Sequence, residues 1–217
     1  MRALIVNGDD FGSSRGVNRG IVEAHVNGVL TSTSMMVDEP ASLEAVRLCA
    51  RHPALGVGLH AVLGSPADPV TTEAELDRQF ERFISLTGKP PTHIDTHHNV
   101  HRDEDVAPIF LAAAERYKVP LRDHCGVRHI AAFYGQWDGE THLEQVGVHA
   151  LKRLIDAEVE DGFNELCCHP GYPGSDLMSS YAAEREAELG TLCDPEVADL
   201  LSERGIRLVS FREVPPS

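Results

Sequence analysis

Aspartates and histidines are concentrated in a few short segments of this sequence, where their side chains could hold a divalent cation and transfer protons. Asp9 and Asp10 are consecutive, three histidines fall within His97-His98-Asn99-Val100-His101, and His60 and His169 stand apart. Imidazole is both a metal ligand and a proton carrier near neutral pH. An aspartate with two histidines leaves coordination positions open for water, as a hydrolytic metal requires, and suits Zn²⁺, Mn²⁺ or Mg²⁺. These residue types predict a metal-dependent hydrolytic site.

Spacing leaves the individual roles within this set open. One of Asp9 and Asp10 can ligate the ion while the other holds a proton, or Asp10 can form an Asx turn or a helix cap. His97 and His101 can reach one ion together if their segment is helical, whereas in a loop His97 alone can ligate. A contribution of His98 stays open as well.

Four further residues have both a structural and a functional interpretation. His60 alone can be a buried histidine bonded to a backbone carbonyl, and His169, ahead of Pro170-Gly171, can stabilise a turn. Arg122 can bind a substrate oxygen, orient Asp9 through a charge-assisted bond, or join a scaffold salt bridge. The ring of Tyr134 can stack on a sugar or pack against its neighbours. We take Arg122 and Tyr134 as candidate substrate-binding residues.

Strands and helices alternate along the chain. The apolar patterns predict strands at 3–7, 32–37, 56–59, 93–95, 121–122, 165–168 and 206–211. They predict one helix capped by Ser13 or Ser14, a second over 42–51, and a third that begins at the Thr72-x-x-Glu75 capping box. A fourth helix, capped by Asp103 or Asp105, runs to about Tyr117. Further helices cover 142–160 and 181–204, the last with a split at Asp194-Pro195. Such alternation predicts an α/β fold with a mostly parallel sheet, open or closed into a barrel.

The chemically active residues fall where these strands end. Asp9 and Asp10 end the first strand, His60 ends the strand at 56–59, the histidines of 97–101 follow the strand at 93–95, and His169 ends the strand at 165–168. In parallel α/β folds ligands bind at the carboxyl ends of the strands, because the loops that follow them converge there. Four strands are therefore expected to deliver acids and imidazoles to one rim.

Length and charge exclude several function classes. The 217 residues fit a single domain, 1–217, with one sizeable core. The net charge of −15 repels phosphate backbones and anionic lipid headgroups, so neither nucleic acid nor membrane is expected as a partner. The first residues form only a short apolar run before two carboxylates, and we expect neither a signal peptide nor a spanning helix.

The cysteines predict a reducing compartment. They are five in number, which leaves one unpaired, and none are spaced as Cys-x-x-Cys, so the cytoplasm is the simplest location. Cys167 and Cys168 lie in a predicted strand, where cysteine usually behaves as a small apolar residue. We expect structural thiols there.

Several separated motifs together resemble one known family. They are Ile5-Val6-Asn7-Gly8-Asp9-Asp10-Phe11-Gly12, Gly58-Leu59-His60, Thr92-His93-Ile94-Asp95-Thr96-His97-His98-Asn99-Val100-His101, Phe133-Tyr134-Gly135 and Cys168-His169-Pro170-Gly171. The segments Arg185-Glu186-Ala187-Glu188-Leu189 and Ile206-Arg207-Leu208-Val209-Ser210-Phe211-Arg212 are similar to the same family's C-terminal end. In order and spacing the chain resembles the YdjC-like carbohydrate deacetylases, the family of chitooligosaccharide deacetylase.

The resemblance implies a fold, a cofactor and a reaction. The fold would be a distorted (β/α) barrel of about seven mostly parallel strands, related to polysaccharide deacetylases, and the protein would form a homodimer. One divalent ion, Mg²⁺, Zn²⁺ or Mn²⁺, would be held by Asp10, His60 and His97. By the same resemblance Asp9 would be the general base and His169 the general acid in the hydrolysis of an N-acetyl group from an acetylated amino sugar or short oligosaccharide.

Two departures from the family pattern concern the sugar site. Asn99 stands where family members often have histidine, at a position outside the expected ligand set. The stretch between His60 and Thr72 is shorter than in the chitooligosaccharide enzymes, which removes part of a rim loop. The alternatives are a metal-dependent amide or ester hydrolase acting on a non-sugar small molecule, a carbohydrate-binding protein without activity, and a structural domain.

Overall fold

A parallel sheet forms the centre of the molecule in a computed structural model that describes residues 1–64, 68–174, 176–177 and 179–215. The strands are β1 (Arg2–Phe11), β2 (Ser32–Met35), β3 (Gly56–Ala61), β4 (Ile94–Thr96), β5 (Arg128–Ile130), β6 (Gln136–Trp137), β7 (Glu140–Thr141), β8 (Gly162–Cys168) and β9 (Arg207–Leu208). The helices are α1 (Arg15–Asn27), α2 (Ser42–Arg51), α3 (Pro69–Thr87), α4 (Ala107–Tyr117), α5 (Val148–Glu158), α6 (Ala183–Leu192) and α7 (Pro195–Glu203). Short 3₁₀ segments cover His97–Arg102, Leu143–Gln145 and Phe211–Glu213.

The main sheet has seven strands in the order β4-β3-β2-β1-β8-β5, with β9 paired to β1. Every ladder in it is parallel. Within the described ranges no ladder joins the edge strands β4 and β5, so the sheet curls into a half-barrel that stays open. The predicted α/β barrel of about seven mostly parallel strands is confirmed.

The first strand is longer than predicted and carries both candidate carboxylates inside it. The backbone of Asp10 has φ 70°, and the register with β2 shifts between Gly8 and Phe11. In a regular strand consecutive side chains point to opposite faces. The irregularity at Asp10, an aspartate that tolerates the left-handed region, lets Asp9 and Asp10 both border the same cleft.

Two predicted helix starts are wrong, and one is confirmed. Ser14 caps α1, and its hydroxyl accepts from the amide of Val17 at 3.1 Å. Helix α3 begins at Pro69 with Asp68 as its cap, so Thr72 lies inside the helix and donates to the Asp68 carbonyl. Helix α4 has neither Asp103 nor Asp105 as a cap, because it begins at residue 107 without a side-chain cap.

Other predicted elements are shorter in the structure. The helix expected over 142–160 covers only 148–158, and the last strand covers 207–208 instead of 206–211. The pair Leu121-Arg122 forms only an isolated bridge, between Leu121 and Ile94. The split of 181–204 into two helices at Asp194-Pro195 is confirmed, with Asp194 capping α7.

The hydrophobic core lies between the sheet and its surrounding helices. Strand β1 is buried along almost its whole length, as expected for a parallel strand covered on both faces. No helix among the residues described is long and apolar enough to cross a bilayer.

Candidate active site

A cleft of about 410 Å³ opens at the carboxyl ends of the parallel strands. Its lining includes all five residues expected to carry the chemistry, namely Asp9, Asp10, His60, His97 and His169. They follow or end β1, β3, β4 and β8, so the predicted meeting of four strand ends at one rim is confirmed. A larger groove of about 790 Å³ lies near Leu55, Thr92 and Pro120, at the opposite ends of the strands, and none of its described lining residues is Asp, Glu or His. The candidate chemistry therefore belongs to the smaller cleft.

Asp10, His60 and His97 present three donor atoms to one point. The Oδ1 atom of Asp10 lies 3.3 Å from Nε2 of His60 and 3.4 Å from Nδ1 of His97. This oxygen is buried and makes no hydrogen bond to any residue that the structure describes, which leaves its lone pair free. A buried carboxylate oxygen without a partner, facing two imidazole nitrogens, fits a divalent cation held by one oxygen and two nitrogen ligands.

The other oxygen of Asp10 is held by Arg185. Nη2 of Arg185 donates to Oδ2 of Asp10 at 2.5 Å, and both side chains are buried. Burial raises the pKa of Asp10, but the imidazoles of His60 and His97 and the charge of Arg185 outweigh it and hold the pKa well below its usual value. Asp10 is therefore ionised, as a metal ligand must be.

His60 is oriented by a buried carboxylate behind it. Its Nδ1 lies 2.7 Å from Oδ1 of Asp95, a residue with no exposed surface. The Nδ1 proton donates to Asp95, so Nε2 faces Asp10. Burial lowers the pKa of His60, but Asp95 and Asp10 outweigh burial and raise the pKa to about 10. A carboxylate behind a ligating histidine fixes its tautomer and strengthens it as a ligand.

His97 alone of its segment joins this set. The segment begins as β4 ends, and its backbone leaves the helical region at His98 and Asn99, which have φ 59° and 54°. His101 is buried away from the cleft, where its ring bonds the Thr96 hydroxyl at 2.7 Å and Asp123 at 3.0 Å. The loop alternative, with His97 as the ligand, fits the structure better than a helical His97–His101 pair.

His98 borders the cleft without facing Asp10 as His97 does. Its ring packs against the ring of His97 at a centroid distance of 3.8 Å. Burial, followed by the neighbouring His97, lowers the pKa of His98.

Asp9 lies beside the ligand set but is bound differently. Both of its carboxylate oxygens accept hydrogen bonds from Arg122, at 2.8 and 2.9 Å. Asn7 and Ser34 also donate to Oδ1 of Asp9, at 2.8 and 3.1 Å. Burial raises the pKa of Asp9, but the charge and hydrogen bonds of Arg122 outweigh burial and hold the pKa well below its usual value. Asp9 is thus an oriented, ionised carboxylate at the edge of the cleft.

Arg122 lies beneath the cleft and does not line it. Its side chain is 1% exposed, and its guanidinium bonds Asp9, Asp95 and Glu165 at 2.7 to 2.9 Å. A buried guanidinium that bonds three carboxylates has no surface with which to reach a substrate. Of the alternatives stated above, the structure favours orientation of Asp9 over contact with a substrate oxygen.

His169 is held by helix α6 through its backbone. Its amide donates to a carboxylate oxygen of Glu188, and its carbonyl accepts from Nη1 of Arg185 at 3.3 Å. Nδ1 of the ring is buried and makes no hydrogen bond within the described part of the chain. Burial lowers the pKa of His169, although the nearby Asp10 and Asp9 oppose this.

Close packing against α1 fixes the turn that follows His169. A Cβ at Gly16 would lie 2.2 Å from the carbonyl oxygen of Tyr172, and a Cβ at Gly20 would lie 2.5 Å from Cα of Gly171. Side chains at these two positions would push the turn away from the helix. The glycines of α1 thus set where His169 enters the cleft.

An aromatic wall stands over His169. The ring of Tyr134 stacks on the ring of Tyr181 at 4.6 Å, and His169 meets both rings edge-on at 6.0 and 5.7 Å. Tyr134 is 40% exposed and borders the cleft, so its ring is accessible to a bound molecule. Tyr181 also donates to Glu188, which ties this wall to the backbone of His169.

The two adjacent cysteines differ in their surroundings. Cys168 is buried, and its thiol donates to the carbonyl of Asn7 at 3.2 Å, as a structural thiol does. Cys167 borders the cleft, with Sγ 3.5 Å from Oδ2 of Asp9. Burial, followed by the charge of Asp9, raises the pKa of Cys167 well above its usual value. Neither cysteine is therefore a ready nucleophile, as expected.

Three acids and one arginine that support the site were not predicted from the sequence. They are Asp95, Glu165, Arg185 and Glu188, all buried. Asp95 carried a usable signal, because it lies two residues before His97 inside the predicted strand, where an unpaired carboxylate is costly. Arg185 and Glu188 lie in a segment that resembles the family's C-terminal end, but their burial, like that of Glu165, depends on how α6 and β8 pack.

Comparisons with known proteins identify the family of this chain. The model of the YdjC-like protein family matches residues 3–73 and 65–203. The carbohydrate deacetylase of Geobacillus stearothermophilus is 37% identical over 244 residues, which cover 98% of this chain and 98% of the relative. The chitooligosaccharide deacetylase of Serratia marcescens is 33% identical over 253 residues, which cover 98% of this chain and 99% of the relative.

Solved structures share the fold. A protein of Enterococcus faecalis V583, described as a candidate cellobiose-phosphate cleavage protein, matches with a TM-score of 0.82 and 28% identity over 97% of both chains. A family 4 carbohydrate esterase from Streptomyces lividans, in complex with acetate, matches with a TM-score of 0.61 and 14% identity over 100% of this chain and 97% of that one. The second likeness concerns the fold alone.

Proposed function

This chain belongs to the YdjC-like protein family, and on that premise we propose that it is a metal-dependent N-deacetylase. It hydrolyses the N-acetyl group of an acetylated amino sugar or short oligosaccharide and releases acetate. The observation that carries the proposal is the free, buried Oδ1 of Asp10 facing His60 and His97, with Asp9 and His169 in the same cleft.

Asp10, His60 and His97 would hold one divalent cation, Mg²⁺, Zn²⁺ or Mn²⁺. When bound, such a cation supplies Lewis acidity, which acidifies a water molecule and polarises an amide carbonyl. Asp95 keeps Nε2 of His60 facing Oδ1 of Asp10, between which the cation would be held, and Arg185 bonds the second oxygen of Asp10.

Asp9 is the general base of the proposed reaction. It takes the proton of the water that attacks the acetyl carbon, and Arg122 holds both of its oxygens so that the carboxylate stays ionised and directed. General base assistance of this kind contributes roughly 10²- to 10⁴-fold to a rate.

His169 is the general acid. It protonates the nitrogen that leaves from the acetyl carbon, since an amine leaves poorly without a proton. Glu188 accepts a hydrogen bond from the amide of His169, and Arg185 donates one to its carbonyl. These bonds fix the backbone from which the ring enters the cleft. Tyr134 forms the accessible wall against which a sugar ring would pack.

Two further properties belong to the same proposal. The resemblance of the chain to its family supports a homodimer. The five cysteines are all free, which agrees with a reducing cytoplasm.

Acetate release tests the proposal. Metal-stripped protein is reloaded with Mg²⁺, Mn²⁺ or Zn²⁺ and offered N-acetylated mono- and oligosaccharides. We expect release that depends on the metal and is lost in Asp10→Asn. Asp123→Asn is the matched control, because Asp123 also bonds two histidines but does not line the cleft. Binding of one ion per chain without acetate release from any sugar would refute the sugar substrate and favour a non-sugar hydrolase.

A further inference from the structure

A second group of donor atoms converges in the cleft beside the first. One oxygen of Asp9, Sγ of Cys167 and one ring nitrogen of His169 lie within 4.8 Å of one another. None of the three belongs to the Asp10, His60 and His97 set. All three border the cleft, so an ion from solvent can reach them.

Strand alternation explains why Cys167 and His169 share this face. Side chains two residues apart on a strand point the same way, so Cys167 and His169 both face the cleft at the end of β8. Cys168 points the opposite way, to the carbonyl of Asn7. Among the residues described, none forms a hydrogen bond with Nδ1 of His169, and the thiol of Cys167 has Asp9 as its partner at 3.5 Å.

We propose that Asp9, Cys167 and His169 form a second cation site, one that takes thiophilic divalent ions such as Zn²⁺ and Cd²⁺. Sulfur and imidazole ligands suit these ions, whereas Mg²⁺ requires oxygen ligands and Mn²⁺ prefers them. On binding, the Cys167 sulfur exchanges its proton for the ion, the proton passes to the buffer, and nothing is oxidised or reduced.

An ion in this site inhibits the enzyme. The ion engages both Asp9 and His169. The inhibition rests on the proposed function, whereas the existence of the second cation site does not. With Zn²⁺, one equivalent per chain supports acetate release, and a second equivalent lowers the rate by at least about 10²-fold, because each acid or base contributes about that much and the ion engages both the base and the acid. Excess Mg²⁺ does not inhibit.

A Cd²⁺ titration of metal-free protein tests the site without reference to activity. Cd²⁺ bound to a thiolate absorbs in the ultraviolet through charge transfer from sulfur to metal. We expect two equivalents per chain, one of which produces this band. Cys167→Ser loses the band and one equivalent, whereas Cys168→Ser, the matched control at the neighbouring thiol, keeps both.

A second pair of variants separates the two sites. Asp10→Asn loses one equivalent but keeps the band, because its ligand set contains no sulfur. The one equivalent of Cd²⁺ that Cys167→Ser still binds, at Asp10, His60 and His97, shows that this variant is folded. Cys167→Ala repeats the test with a smaller side chain. A band that persists without Cys167, or one that disappears in Asp10→Asn, overturns the second site.

The rate measurement distinguishes this inference from the proposed function. If the band depends on Cys167 but the second equivalent leaves acetate release unchanged, the site stands and the roles of Asp9 and His169 are wrong. Each variant's rate with Zn²⁺ is compared with its own rate with Mg²⁺, so a general loss of activity does not imitate inhibition.

Discussion

A cation that binds at Asp10, His60 and His97 must displace a proton from His60. The pKa of His60 is raised to about 10 by Asp95 and Asp10 against the effect of burial, so its imidazole is protonated at neutral pH without metal. A ligating imidazole must be neutral. A pH of about 8 lies two units below this pKa, so removing the proton costs about 3 kcal/mol, or roughly 100-fold in affinity. The apparent affinity should therefore rise about tenfold per pH unit between about pH 7 and 9.

Calorimetric titration with Mn²⁺ in two buffers of different protonation enthalpy measures the protons released per ion. Mn²⁺ is preferred because a zinc-bound water ionises near pH 7 and would add a proton of its own. We expect about one proton per ion in the wild type. Asp95→Asn removes the carboxylate that lies 2.7 Å from Nδ1 of His60 and lowers its pKa, so fewer protons are released.

Asp123→Asn is the control for this measurement, because Asp123 bonds His101 and His129, which lie outside the ligand set. It should leave the proton release unchanged. Binding of Mn²⁺ that is independent of pH in the wild type, or equal proton release in the wild type and Asp95→Asn, would refute the role given to Asp95.

Three other outcomes are expected. Asp9→Asn should lower kcat by about 10² or more while still binding one Mn²⁺ per chain, and a normal kcat on the true substrate would remove Asp9 as the base. Burial raises the pKa of Glu188 to about 8 from 4.5, so its contribution to stability is present below pH 4.5 and is lost as the pH rises through 8. We therefore measure the free energy of unfolding of metal-free protein in urea at about pH 5 and 8. That of the wild type should fall by about 3 kcal/mol more over this range than that of Glu188→Gln. Parallel curves would contradict this. Ser14→Ala should lower the free energy of unfolding by about 1 kcal/mol and the Tm by about 2–4 °C, because it removes the cap of α1. Ser13→Ala should change little, because the Ser13 hydroxyl has no hydrogen-bond partner among the described residues. Equal Tm values for the two variants would contradict the cap.

The sequence predicted which side chains meet better than how they are held. Asp10, His60 and His97 were expected at one rim because each follows or ends a parallel strand, and that topology alone brings them together. Asp95 and Arg122 act from beneath the rim. Their hydrogen bonds depend on which charged groups the barrel interior encloses, and that is decided by packing between strands distant in sequence.

Two helix-capping signals lie close together at the start of α3, where the predicted boundary was wrong. Thr72-x-x-Glu75 matches a capping box, but Asp68-Pro69 lies upstream, and an aspartate cap followed by proline starts α3 one turn earlier. The β6–β7 hairpin was not predicted, although its turn, Asp138-Gly139, is a typical hairpin sequence. Asp138-Gly139 has positive φ at both residues, 53° and 78°, as two-residue hairpin turns require.

We propose that this cleft hydrolyses an N-acetyl group with a cation at Asp10 and with Asp9 as the base. The most direct test is a reaction in isotopically labelled water, with the Mg²⁺-loaded protein and the acetylated sugar that it prefers. We expect one labelled oxygen in the released acetate, with no release from metal-stripped protein or from Asp10→Asn. Unlabelled acetate, or release that persists without the metal, would contradict it.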